Sequence, residues 1–208
     1  MKNRDLDIKP LLGTIVLANI LWFATFYLEF SSFWIKITVS ASILAVLAVW
    51  VIPEGRARFN LNAGAVIMGL FSAAALYFIF WAGREISISV FPFAEQQIGS
   101  IYGKGDGTSS LLIFPLLFLV TGPCEEIFWR GYLQEKLMRK YGNGAGWLLG
   151  TAVYAIVHIW SFNFMLIGAA AVAGAFWGLM YWRYRDLAPV IISHSAWSAF
   201  IFTIQPLT

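Results

Sequence analysis

The chain has 208 residues, of which 60% are hydrophobic and only 12% are charged, and its mean hydropathy is +0.73. Soluble domains carry about 25% charged residues, so this composition excludes a soluble enzyme, a disordered chain and a nucleic-acid-binding protein. The single cysteine also excludes an internal disulfide framework and a multi-cysteine metal site.

Seven apolar runs are candidates to cross a membrane, since a transmembrane helix needs about 20 predominantly apolar residues. We therefore predict an all-α, polytopic integral membrane protein that forms one membrane domain over residues 1–208. Its first half, 1–105, holds helices one to three and a surface-lying connection that begins at Gly83; its second half, 106–208, holds helices four to seven. In chain order the runs cover residues 11–28, 33–52, 61–82, 109 to past 130, 145–160, 165–182 and 187–204.

The basic residues predict the orientation, because Lys and Arg collect in loops on the cytoplasmic side. Ten of the 14 Lys and Arg residues precede helix one or follow helices two, four and six; three flank the opposite ends and Arg130 lies within helix four. We expect the N-terminus, with residues 1–10 as a short tail, inside and the C-terminus outside, in a bacterial cytoplasmic membrane. The ten are Lys2, Arg4, Lys9, Arg56, Arg58, Lys136, Arg139, Lys140, Arg183 and Arg185, and the three are Lys36, Arg84 and Lys104.

Five ionisable residues remain well inside the predicted spans, and they include both histidines of the chain. A charged residue at a helix centre costs roughly 2.5–3.5 kcal/mol on insertion scales, so such groups indicate a functional site. The five are Glu125, Glu126, Arg130, His158 and His194.

Glu126 and Arg130 are spaced i, i+4, so they share a helix face and are expected to pair. The structural interpretation is a buried ion pair that orients the helix. Glu125 points roughly 100° away from Glu126, so Arg130 cannot easily serve both carboxylates. Pro123 predicts a kink just before them, and the glycine pairs at 146/150 and 174/178 predict close helix packing.

A carboxylate and two imidazoles in a shielded cavity suit hydrolysis by a general base, with donors for the oxyanion. His194 and Ser198 share a helix face, although Ser198 has the alternative of bonding its own backbone. The zinc motif HExxH is absent, but Glu125 and the two histidines could still hold zinc as three ligands.

Two further patterns favour other proteases but have simpler interpretations. Residues 103–106 match the GxGD string of intramembrane aspartyl proteases, yet Asp106 falls in a polar loop and no span holds a second aspartate. Cys124 is adjacent to Glu125 and could be a nucleophile, but a lone cysteine in an apolar helix is more often a packing residue.

Three motifs together resemble the CPBP family of CAAX prenyl proteases and bacteriocin-processing enzymes, also called Abi proteins. Glu125 to Arg130 reads EExxxR, Tyr154 to His158 is similar to FxxxH with Tyr for Phe, and His194 to Ser198 is similar to HxxxN/D with Ser in the last position. The resemblance spans roughly residues 112–202, less than half of the chain.

The resemblance implies an intramembrane endopeptidase that uses a glutamate-activated water and no metal cofactor. Glu125 and His158 would activate the water, and His194 and Ser198 would stabilise the oxyanion. Glu126 and Arg130 would shape the site. Ser198 is a departure, because its hydroxyl reaches less far than an amide. Either His194 carries the role almost alone, or the Trp197 N–H or a backbone donor helps, or activity is reduced.

Membrane lipids and a membrane-anchored or lipidated protein substrate are the partners implied. We expect helices four to seven to enclose a polar cavity, with helices one to three as a lateral cover. By helix rise, the site is expected in the cytoplasmic half or near the midplane. The rival interpretation is a non-proteolytic transporter or an immunity or regulatory scaffold, in which the buried charges form a structural network.

Overall fold

The structure is a computed structural model that describes residues 8–51, 58–105 and 107–207. All its regular elements within those ranges are helices, which confirms the all-α class. Lys2, Arg4, Arg56 and Asp106 lie outside the described residues. The helices are α1 Ile8–Phe26, α2 Phe33–Val46 with a π-helical end Leu47–Val51, α3 Ala63–Val90, α4 Ala94–Tyr102, α5 Ser110–Tyr141, α6 Asn143–Ile156, α7 Phe164–Tyr184 and α8 Leu187–Thr203.

Five helices (α1, α2, α3, α5 and α7) are long and apolar enough to cross a membrane, which supports an integral membrane protein. α6 and α8 have only 14 and 17 residues, less than the 20 or so that a span needs. A 3₁₀ turn over Val157–Ser161 extends α6. The count of seven spans and the orientation of the termini therefore stay predictions.

α3 is longer than its predicted run, so the expectation that the surface connection begins at Gly83 is wrong. The helix continues to Val90 and ends at Phe91, which is extended (φ −115°, ψ 115°). Phe91 precedes Pro92, and the ring of a proline disfavours helical backbone in the residue before it. The rest of the connection is α4 and a 3₁₀ turn, Gly103–Gly105.

α5 carries the EExxxR motif and is irregular on both sides of it. π-helical turns cover Leu116–Thr121 and Ile127–Gln134, and a short α segment, Gly122–Glu126, lies between them. Pro115 and Pro123 lack the N–H that a regular helix needs. π turns inside helices occur frequently at functional sites, so the irregularity predicted at Pro123 extends further than one kink.

Glycines allow α5, α6 and α7 to approach closely, as the two predicted pairs indicate. A Cβ atom on Gly146 would lie 2.3 Å from the backbone N of Met138, and one on Gly174 would lie 2.9 Å from Tyr154 Cδ1. One on Gly178 would lie 2.8 Å from Gln134 Oε1. This packing sets the distance between the helices that carry the motifs.

We expect Gly146→Ala to destabilise the protein by about 1–3 kcal/mol or more, because the new methyl group overpacks a site walled by backbone. Gly13→Ala in α1 is the matched control, since its Cβ would meet nothing within 4 Å. Thermal unfolding in detergent micelles measures both variants. Equal melting temperatures for the two would contradict the packing described here.

Candidate active site

One cavity of about 460 Å³ contains the predicted site. Glu125, His158, His194 and Ser198 all line it, so the structure brings together residues from α5, α8 and the turn after α6. Each of the four side chains is buried. The geometry therefore permits them to act on one substrate, while their roles stay predictions.

The cavity walls differ from those expected. Phe26 of α1, Trp34 of α2 and Phe80 of α3 also line the cavity, so helices one to three share in enclosing it, where helices four to seven were expected to do so. Aromatic side chains are long enough to reach inward from these outer helices. The lining is mostly apolar, and Glu125 is its one acidic side chain among the described residues, so the cavity is less polar than expected.

Tyr154 connects Glu125 to His158. Its hydroxyl donates to Oε2 of Glu125 at 3.1 Å, and its backbone carbonyl accepts from Nδ1 of His158 at 2.7 Å. Hydrogen bonds to charged groups are stronger than neutral ones. Tyr154 thus orients both the carboxylate of Glu125 and the imidazole of His158. A phenylalanine at this position would keep only the backbone contact with His158, because it has no hydroxyl.

The hydrogen bonds of His158 define its tautomer. A carbonyl oxygen only accepts, so Nδ1 carries the proton. Nε2 faces the indole N–H of Trp22 at 3.4 Å, and a donor there requires a lone pair on Nε2. His158 is therefore a neutral imidazole in this arrangement. Trp22 is fully buried in α1 and orients the ring.

Glu126 and Arg130 form the predicted ion pair. Nη1 of Arg130 donates to Oε1 of Glu126 at 2.7 Å, and the two side chains are 2% and 0% exposed. The guanidinium also lies 4.6 Å from the ring centre of Tyr154 and 5.5 Å from that of Trp177. Cation–π contacts of this kind strengthen when they are shielded from water.

The same carboxylate oxygen holds His194. Nδ1 of His194 lies 2.6 Å from Oε1 of Glu126, and its ring stacks on Trp177 with centroids 3.9 Å apart. Because a carboxylate accepts, Nδ1 carries a proton. Only a doubly protonated ring could then also donate from Nε2 toward the cavity.

These contacts do not suit a zinc site made of Glu125 and the two histidines. Both nitrogens of His158 are engaged within the protein, and Nδ1 of His194 is bound to Glu126. Among the residues that the structure describes, no three His, Cys, Asp or Glu side chains are grouped closely enough to hold a metal ion. Cys124 is half-buried with its Sγ 3.9 Å from the hydroxyl of Ser42, which fits a packing role.

Lys104 lies at the edge of the cavity, outside the spanning helices. Its ammonium group is 5.8 Å and 5.5 Å from the ring centres of Phe26 and Phe33. Burial lowers the pKa of Lys104, and the nearby charge of Lys36 lowers it further. The lysine is thus partly withdrawn from water at the cavity edge.

Sequence reasoning missed three contributions to the site. Trp22 is 136 residues from His158 in the chain, and one of ten tryptophans carries no signal of its own. Trp177 gives no motif either. The hydroxyl of Tyr154 was available as a signal, because it replaces the phenylalanine of the FxxxH pattern one helical turn before the histidine.

The structure thus places a carboxylate and two imidazoles around one buried cavity among apolar helices, a set of groups that suits hydrolysis by a general base. Residues 107–200 match the Rce1-like family model, described as type II CAAX prenyl endopeptidase Rce1-like. This match confirms the resemblance found in the three motifs: this part of the chain, less than half of its length, is similar to that protease family, which points to an intramembrane endopeptidase. A comparison with curated proteins found no match, and neither did a comparison with solved structures.

We expect Arg130→Met to cost about 3–5 kcal/mol of stability, because it leaves the Glu126 carboxylate buried without its partner. The double variant Glu126→Gln/Arg130→Met removes both charges and should recover part of that loss. Thermal unfolding in detergent measures the stability of both variants. If the double variant is no more stable than Arg130→Met, the buried pair is not what holds this region together.

Proposed function

We propose that the chain is a metal-independent, glutamate-dependent intramembrane endopeptidase that cleaves a membrane-anchored or lipidated protein. The observation that carries the proposal is that Glu125, His158 and His194 line one cavity, with Tyr154 bonded to two of them. The family match over the motif-bearing helices supports the reaction class.

Glu125 is the proposed general base. Tyr154 holds its Oε2, which leaves Oε1 to take a proton from a water molecule. The water oxygen then attacks the scissile carbonyl carbon, and its proton resides on Glu125. When the C–N bond breaks, Glu125 returns this proton to the leaving amine, so one water is consumed and the carboxylate is regenerated. In this scheme Nε2 of His158, whose contact with the Trp22 indole is long at 3.4 Å, also accepts from the water and so helps to position it.

The proposed oxyanion donors lie on α8. Nε2 of a doubly protonated His194 is the first, and the Ser198 hydroxyl, one helical turn later, is the second. Trp197 supplies a third: its indole N–H is buried and has no hydrogen-bond partner among the described residues, and its side chain lines the cavity. A buried donor without a partner is costly. In this proposal the indole N–H of Trp197 finds its partner in the negative charge that develops on the substrate oxygen.

The substrate class follows from the chemistry of the cavity. Its mostly apolar lining suits an unwound segment of a membrane anchor or a lipidated tail. Amide hydrolysis needs the backbone of the substrate to be extended, because a helix shields its carbonyl groups.

We expect Glu125→Gln to lower cleavage by about 10²–10⁴-fold, because a glutamine cannot accept the proton of water. His158→Ala should also impair cleavage. Two probes serve as substrates for the purified protein in micelles: a fluorogenic peptide with a prenylated CAAX tail and a membrane-anchored reporter protein. Dialysis against a zinc chelator should leave the rate unchanged.

Glu95→Gln is the matched control, since Glu95 is an exposed carboxylate in the first turn of α4 that does not line the cavity. It should retain the rate of the natural sequence. Unchanged processing in both Glu125→Gln and His158→Ala would instead favour the transporter or scaffold interpretation.

We expect Trp197→Phe to lower kcat by about 10²-fold with little change in KM, the usual effect of losing one oxyanion donor. The phenylalanine keeps a ring against Phe80 and Trp177, which Trp197 contacts at 4.6 Å and 5.6 Å between ring centres. Adding Ser198→Asn to this variant should restore part of the rate, because an amide reaches further than a hydroxyl.

Trp81→Phe controls for the loss of an indole, since Trp81 is 52% exposed on α3. Its rate should stay the same. A Trp197→Phe variant that changes KM alone, or that loses stability as well as rate, would show that the indole N–H is not an oxyanion donor.

A further inference from the structure

The cavity lies toward one end of the helix bundle. On α3 its lining residues fall between Ile79 and Phe91, in the second half of the helix, and on α8 they fall between His194 and Phe202. On α7, which runs the opposite way, they fall between Phe164 and Trp177, in the first two thirds. Helices that run in opposite directions thus line the cavity with opposite halves of their length. This is the pattern that a cavity near one membrane surface requires.

Three segments at this end lie around the same region: α4, the residues just before α7 and the residues after α8. Tyr102 of α4 lines the cavity, and its hydroxyl accepts from the backbone N–H of Leu207 at 3.1 Å. The side chain of Asn163, just before α7, donates to the carbonyl of Gln97 at 2.8 Å. The end of α8, the start of α7 and α4 therefore meet at the mouth of the cavity.

Most basic residues gather at the opposite end, where direct contacts hold them together. Arg58 lies 3.6 Å from Asp186, and its carbonyl accepts from Leu187 at the start of α8. Arg185 and Arg139 both bind Glu135, each at 2.7 Å. These residues precede α3 and α8, follow α7 or lie in the last two turns of α5, so they mark the ends away from the cavity.

The distribution of cations is unequal between the two ends. Among the described residues, seven Lys and Arg lie at the end away from the cavity and three lie at the cavity end; Arg130 lies between them. Lys and Arg concentrate in cytoplasmic loops. The seven are Lys9, Arg58, Lys136, Arg139, Lys140, Arg183 and Arg185, and the three are Lys36, Arg84 and Lys104.

We propose that the cavity opens at the extracytoplasmic surface of the membrane and that its substrates are exported, membrane-anchored proteins. The scissile segment enters from outside, between α3, α4 and α7, and passes Arg84 and Lys104 to reach Glu125 near the midplane. The identification of substrates rests on the proposed protease function; the sidedness of the cavity does not.

Single cysteines in a Cys124→Ala background test the sidedness by labelling. Ser87→Cys lies in the cavity wall on α3, and Gln96→Cys lies exposed on α4 at the same end. Ala145→Cys is exposed at the start of α6, at the basic end. Bacterial spheroplasts that express each variant are treated with a membrane-impermeant maleimide, before and after permeabilisation with detergent.

We expect Ser87→Cys and Gln96→Cys to react at least 10-fold more than Ala145→Cys in intact spheroplasts. After permeabilisation, all three should react. Reaction of Ala145→Cys alone in intact spheroplasts would overturn the proposal, as would a Ser87→Cys that stays unreactive in both conditions while Gln96→Cys reacts.

Two reporter proteins extend the test to substrates. Each carries the same scissile segment beside a single-span anchor, on the outer side in one and on the cytoplasmic side in the other. Only the outer reporter should be cut in cells, and cutting of the cytoplasmic reporter alone would overturn the proposal. If micellar protein cuts neither reporter while the labelling pattern holds, the protease function fails and the sidedness stands.

Discussion

The buried ion pair between Glu126 and Arg130 is the interaction on which the site depends. One oxygen of Glu126 accepts from both Arg130 and His194, so the pair fixes an imidazole on another helix. The guanidinium in turn lies against the rings of Tyr154 and Trp177. Since a buried charge without its partner is very costly, α5, α6, α7 and α8 are constrained to meet around this pair.

That constraint lets two adjacent carboxylates differ in role. Glu126 is fully buried and is bound by two nitrogen donors, so it organises its surroundings. Glu125 faces the cavity and is bound at one oxygen by a neutral hydroxyl. The angular offset of successive helix residues separates the two environments, which is consistent with the proposed structural role of Glu126 and catalytic role of Glu125.

Much of this architecture could be predicted from the sequence, because charges are rare in apolar helices and each one is informative. The i, i+4 spacing predicted the pairing of Glu126 with Arg130, and the glycine pairs predicted close packing. The contacts of Trp22 and Trp177 could not be predicted, since aromatic side chains give no local pattern that reveals what they touch across the bundle. The extension of α3 was missed because hydropathy falls after Ala82 while helical backbone continues to Val90.

In the proposed reaction, a water molecule held by Glu125 attacks the scissile bond directly. Single-turnover cleavage of the membrane-anchored reporter in H₂¹⁸O, with enzyme in excess, tests it by mass spectrometry of the products. We expect one heavy oxygen at the new C-terminus of the reporter and none in the protease. Heavy oxygen in the side chain of Glu125, or a covalent adduct on Cys124, would contradict it.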